Sequence, residues 1–301
     1  MRINSKIIAL GFTLFAGILP AKAALNIFAC EPEYASLVKE IAPAAKVYSA
    51  TTALQDPHLV QARPSLIAKM RRADLAICAG ADLEIGWLPM LQMKSANSKV
   101  RNTETGLFFA ADQIETLDKL ERVDRSMGDV HAKGNPHVHL DPMRLLTIAQ
   151  KLTQRLVSID SSNASVYRNN FTKFKSRWLT AMEQWQQQAK PLKGKNVIAY
   201  HTSFRYLFQW IGMHQVGDLE PKPGLPPTTG HLVKLLNLAK KEQISAVVVA
   251  SYQDTRGGEW LASRSSIPMI VLPISVGGND MSNDLFSLYQ SIIDQLIGAI
   301  K

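Results

Sequence analysis

Seven histidines carry most of the metal-binding chemistry open to this chain: His58, His131, His137, His139, His201, His214 and His231. Neutral imidazole suits zinc, copper, iron and nickel, and three such rings with one further position match tetrahedral zinc. His58 lies in Asp56-Pro57-His58, on a loop that follows one predicted strand and precedes a helix start at Pro64-Ser65. His137 lies in Asn135-Pro136-His137-Val138-His139-Leu140-Asp141-Pro142, where Asp as N-cap and Pro at the first position open the next helix. His201 directly follows a third candidate strand. In open parallel sheets, ligand sites gather at such carboxyl ends of strands. A single histidine is more often a hydrogen-bonded loop or core residue than a ligand; three at strand ends facing one cleft point to metal. His139 points with His137 in an extended segment and away from it in a turn. His214 reads as packing and His231 as a helix start. His131, in a polar loop, reads as a solvated residue, with an accessory ligand role as the alternative.

The elements that must position these residues alternate. Candidate strands are Asn26–Ala29, Lys46–Ser49, Leu75–Cys78, Asn196–Ala199, Ala246–Ala250 and Met269–Leu272. Helical patterns fall near 33–41, 64–71, 143–158, 231–242 and 284–300. This alternation predicts an α/β fold with parallel sheets. Between them, Val166, Phe171, Phe174, Trp178, Met182 and Trp185 recur at helical steps from Asn163 to Ala189, a helix of about 40 Å. Pro191 and Gly194 end it. The expected organisation is a signal peptide over 1–23, an N-terminal lobe over 24–160, a rigid connecting helix over 161–190 and a C-terminal lobe over 191–301. The metal site is expected in the cleft between the lobes.

Arg2 and Lys6, the apolar run Ile7 to Pro20 and Ala21-Lys22-Ala23 read as an export signal cut after Ala23. No cysteine follows closely enough to carry a lipid, so a soluble periplasmic protein is expected. The chain has 301 residues, 46% of them hydrophobic, which is enough for two real cores and excludes a disordered chain. The net charge of +9 raises nucleic acid as a partner, but the Lys and Arg are scattered and no aromatics interleave them. Nucleic acid is therefore not expected. Two cysteines, Cys30 and Cys78, exclude a disulfide-dense scaffold. They end two candidate strands and are either bridged or a pair of buried thiols.

These motifs resemble the metal-binding solute receptors of bacterial zinc and manganese ABC importers, over nearly the whole mature chain. The likeness rests on Asp56-Pro57-His58 with Pro64-Ser65, on Asn135 to Pro142, on His201, and on Gly80-Ala81-Asp82-Leu83-Glu84 with Trp87. The resemblance implies that His58, His137 and His201 bind the metal. A histidine at the third position favours zinc over manganese, which prefers oxygen ligands. The family usually adds a carboxylate after the last sheet strand of the second lobe. Pro273 stands there in this chain, so Asp280 is the expected fourth ligand, with Glu220 or water as alternatives. The long His-rich loop of zinc receptors is reduced to Glu121–Gly134, with one histidine. The resemblance further implies a monomer that is not an enzyme and that hands zinc to an ABC importer permease. A periplasmic metal chaperone is a further candidate partner.

Two other functions compete. His137-x-His139-x-Asp141 resembles part of a metallo-β-lactamase motif, which would make the chain an exported zinc hydrolase, but Pro142 follows where a histidine is needed. A structural or adhesive protein with incidental histidines would bind no stoichiometric metal.

Overall fold

The computed structural model describes residues 24–124, 127, 128 and 130–300; the expected export signal, residues 1–23, lies outside the described residues. Asn26–Ala29 (β1), Lys46–Ser49 (β2), Leu75–Cys78 (β3) and Leu107–Phe109 (β4) form a parallel sheet in the order β2-β1-β3-β4. Asn196–Ala199 (β5), His214–Asp218 (β6), Ile244–Ala250 (β7) and Met269–Leu272 (β8) form a second, in the order β6-β5-β7-β8. The helices are Pro32–Ile41 (α1), Pro64–Arg71 (α2), Leu88–Ser95 (α3), Pro142–Ile159 (α4), Ala164–Gln188 (α5), Arg205–Ile211 (α6), Thr229–Lys241 (α7), Arg256–Ser265 (α8) and Leu285–Ala299 (α9). Both sheets are parallel and helices alternate with strands, as the sequence pattern predicts.

The central strands β1, β3, β5 and β7 are buried on both faces. In the first sheet Phe28, Cys30, Ala76 and Cys78 face α2 and α3, packing with Leu66, Met70, Trp87 and Leu91. In the second sheet Ile198, Val247 and Val249 face α7 and α8. The alternate residues Ile27, Ala29, Leu75, Ile77, Val197, Ala199, Val248 and Ala250 all belong to one apolar core that runs through both sheets. The period-2 alternation thus assigns each strand residue to one of two cores.

Helix α5 forms the spine of the shared core. Phe174, Trp178, Met182 and Trp185 line its buried face. It packs against α1 and α4 on one side and α9 on the other. The Trp178 indole N–H donates to the carbonyl of Pro142 at 2.9 Å, at the start of α4. Its ring meets Phe286 and Tyr289 of α9 edge-on, with centroids 4.9 and 5.4 Å apart. Trp185 stacks on Tyr289 at 4.9 Å. The aromatic ladder therefore ties elements from both sheets to one helix.

The helices that carry the site are capped as the sequence suggests. Asp141 accepts from the Met143 and Arg144 N–H groups at 2.8 and 3.0 Å, with Pro142 in the first turn of α4. Thr228 caps α7 by accepting from His231 N–H, so His231 does open a helix. His214 differs from expectation: it begins the edge strand β6 and is exposed rather than packed. Among the described residues, no helix is long and apolar enough to cross a membrane.

Candidate metal centre

Four histidines from three loops converge where the carboxyl ends of the two sheets face each other. His58 comes from the loop after β2, His131 and His137 from the connection between β4 and α4, and His201 from the residues just after β5. The rings of His58, His137 and His201 stand 6.3, 6.3 and 5.9 Å apart pairwise, nearly edge to face. His131 stacks on His58 at 5.2 Å, with the two Nε2 atoms 3.1 Å apart. Around one tetrahedral zinc, imidazole nitrogens lie about 3.3 Å apart and ring centres about 5 Å apart. The His58–His131 pair already has this spacing, and the pairs among His58, His137 and His201 stand wider, at 5.9 to 6.3 Å. Among the described residues no three of these histidines have ring nitrogens mutually within 4.8 Å.

Two of the four rings are held through Nδ1 by a carboxylate, and a third has a nitrogen without a partner. The Asp56 carboxylate accepts from the His58 backbone N–H at 3.0 Å and lies 2.7 Å from its Nδ1. Burial pushes the Asp56 carboxyl up, but the hydrogen bonds and charge of His58 outweigh it and hold it below the usual range. Glu220 accepts from His201 Nδ1 at 2.8 Å. Both rings thus turn Nε2 inward. His137 is buried, and its Nε2 has no hydrogen-bond partner. Burial and the neighbouring histidines hold its basicity well below the ordinary value. His131 is lowered to about 4, by burial and then by the charge of His58 and His201. An unpartnered buried imidazole nitrogen is costly in a core and natural in a ligand set.

The loops are fixed close to their ligands. The Trp87 indole N–H donates to the carbonyl of Pro57, next to His58, at 2.9 Å. The Asn135 side chain accepts from His137 N–H at 3.0 Å and donates to the carbonyl of Thr202, next to His201, at 2.9 Å. Tyr206 donates to the Asn135 carbonyl at 2.8 Å and accepts from Leu117 N–H at 2.9 Å. The segment carrying His137 is thus bonded directly to the one carrying His201. Carboxylates that orient metal-bound histidines are typically worth 10–100-fold in affinity. Glu220→Ala is accordingly expected to weaken zinc binding by about 10–100-fold without abolishing it, as read by competition with a chromophoric chelator.

His139 is turned away from the set by the 3-10 turn Val138–Leu140. Its Nε2 donates to the carbonyl of Ile274 at 2.8 Å, and Nδ1 lies 3.2 Å from Glu33. With Asp141 committed to capping α4, the hydrolase motif does not form. Asp280 is not brought to the histidines. It is exposed on the loop between β8 and α9, a turn closed by Gly277 N–H donating to Ser282 O at 2.6 Å. Glu220 reaches the site as the partner of His201. His131, read from sequence as a solvated loop residue, lies inside the cluster. Its neighbours Val130 and Ala132 lie between Asp129 and Lys133 with no helical or strand periodicity, so the local sequence does not flag it.

Beside the site, Cys30 and Cys78 are joined in a disulfide, with Cα atoms 4.8 Å apart. Glu84 accepts from the Ala79 and Gly80 N–H groups at 2.7 and 3.1 Å. Its carboxyl is raised to about 7 by burial, against the lowering effect of these bonds and of Glu31. The unfolded chain releases that proton near 4.5, so the folded state is favoured below this pH and loses this contribution as pH rises through 7. Glu84→Gln should therefore raise the melting temperature more at pH 8 than at pH 5. Equal shifts at both values would refute the assignment.

Residues 27–301 match the family described as ZnuA, zinc-uptake complex component A, periplasmic. The chain is 24% identical over 248 residues to the high-affinity zinc uptake system protein ZnuA of Bacillus subtilis, covering 82% of this chain and 76% of that protein. It is 26% identical over 221 residues to the manganese ABC transporter substrate-binding lipoprotein PsaA of Streptococcus pneumoniae, covering 71% and 68%. A crystal structure of ZnuA has the same fold, with a TM-score of 0.75 at 22% identity, over 91% of this chain and 99% of that one. The cadmium-bound periplasmic metal-binding protein of Candidatus Liberibacter asiaticus gives 0.74 at 16% identity, over 90% and 98%. Two parallel-sheet lobes on a long helix, four converging histidines and a family match over residues 27–301 have one meaning: the chain belongs to the ZnuA family of metal-binding receptors that serve ABC importers, and it is not an enzyme.

Proposed function

We propose that this chain captures zinc in the periplasm through His58, His131, His137 and His201 and delivers it to the membrane permease of an ABC importer. The observation that carries this reading is the convergence of four imidazoles, with the Nδ1 atoms of two tied to carboxylates and the Nε2 of a third buried without a partner. An all-nitrogen set favours a borderline ion such as zinc over manganese, which prefers oxygen. His131 takes the place expected of Asp280. The curated relatives include both zinc and manganese proteins, so the donor set supports the choice of ion.

The test is a titration of the metal-free protein with zinc and with manganese. One zinc per chain is expected, held more tightly than manganese by more than about a hundredfold. His131→Ala should weaken zinc by at least about tenfold, whereas Asp280→Asn should leave it unchanged. Tighter binding of manganese would overturn the choice of ion. An effect of Asp280→Asn matching that of His131→Ala would overturn the ligand set.

A further inference from the structure

In the first sheet the strand order reverses between β1 and β3, and the crevice beyond such a reversal is where open parallel sheets bind ligands. Here that crevice holds Cys30, at the end of β1, and Cys78, at the end of β3, with Glu31 and Glu84 beside them. Among the described residues, Cys30, Cys78 and Glu84 are the one group of three potential metal ligands whose donor atoms all lie within 4.8 Å of one another. Both sulfurs are fully buried, and Glu84 is 2% exposed. Glu31 is 3% exposed; its Oε2 shares the Ala79 N–H with Glu84, while its Oε1 has no partner. Among the described residues, no Lys or Arg pairs with either carboxylate. Two neighbouring buried acidic side chains, one with an orphan oxygen and neither beside a cation, form an environment that a cation can enter in exchange for protons.

We propose that reduction of the Cys30–Cys78 bond turns this crevice into a second, buried cation site, in which two thiolates and Glu84 hold a thiophilic divalent ion such as zinc, with Glu31 beside them. The reductant is a dithiol. It gives two electrons and two protons to the S–S bond, leaving two thiols, and itself closes to a disulfide. Binding of the ion then releases both thiol protons, because the thiolate is the ligand. Reoxidation by a disulfide, which takes two electrons from the thiolates and two protons from water and becomes a dithiol, removes both sulfur ligands and expels the ion. The histidine centre would carry cargo in either redox state, whereas this crevice would be filled in the reduced chain alone.

The test uses cobalt as probe, because thiolate ligation adds a charge-transfer band that imidazole ligation lacks. The full chain is unfolded, reduced with a phosphine (which takes its oxygen from water), freed of reductant and refolded without oxygen. A thiol assay in denaturant confirms two thiols. The reduced protein is expected to take two cobalt ions, one with the thiolate band, and zinc should displace both. The oxidised protein and the Cys30→Ser/Cys78→Ser double variant should take one, without the band. His137→Ala should remove the histidine-bound ion and leave the thiolate band, which separates failure of this proposal from failure of the receptor reading. Glu84→Gln in the reduced chain should weaken the second ion at least about tenfold. A reduced, folded protein that takes one ion and shows no band would overturn the proposal. So would a reduced chain that stays unfolded by circular dichroism and is not restored by cobalt. An unchanged band affinity in Glu84→Gln would overturn the part given to Glu84.

Discussion

Replacing His137 by alanine is expected to cost this protein its tight zinc binding while leaving its fold in place. Alone among the four, this ring is fully buried and has an orphan Nε2. Its low basicity means that a proton hardly competes with the metal at neutral pH. The Asn135 side chain holds its backbone, so the lone pair is aimed before the ion arrives. Losing a group that merely orients a ligand costs about 10–100-fold, so losing this ligand should exceed about a hundredfold. The measurement is zinc competition against a chromophoric chelator, with a thermal melt to confirm folding. Zinc affinity within tenfold of the parent would remove His137 from the site. The orphan nitrogen also predicts that the melting temperature of the metal-free variant falls little, since a costly buried group has been deleted.

The second large effect concerns the spine. Trp178→Ala is expected to destabilise the protein by about 3–5 kcal/mol, the range for emptying a buried tryptophan site. The ring contacts Phe174, Trp185, Phe286 and Tyr289, and its N–H satisfies the Pro142 carbonyl at the start of α4. Nothing nearby can collapse into so large a hole without moving α4 or α9. Because His137 stands just before α4, metal affinity should fall as well, although the ring is remote from the ion. Urea denaturation measures the first effect and zinc titration the second. A stability loss below about 1 kcal/mol would mean that the aromatic ladder repacks.

Much of this was legible in the sequence because the strands are near-continuous apolar runs between helical stretches. The expected bounds of β1, β2, β3, β5 and β8 coincide with those observed. Strand β4 was missed because it is three residues long, and β6, His214–Asp218, because it is a polar edge strand with no apolar run. Helix α8 opens with Gly257 and Gly258, poor helix formers, and α6 is a seven-residue aromatic stretch that periodicity cannot separate from a strand. In the site, His58, His137 and His201 were visible because each stands beside a proline, a cap or a strand end. His131 was not, since its position depends on how a long connection folds over the cleft. Asp280 was inferred by likeness to relatives, and it lies exposed in the turn at Gly277–Ser282.

The apolar core shared by both sheets bears on the kinetics of cargo exchange. Opening the two halves like a jaw would expose Trp178, Trp185 and Tyr289 to water, and that hydrophobic cost makes such excursions rare. The ion is then expected to come and go through the loops that bear His58 and His131, one bond at a time, with Asp56 keeping the His58 ring in place and Glu220 that of His201. Residence time is then set by local fluctuations at the rim, and a transporter that speeds release needs to grip a loop and has no need to pry the lobes apart.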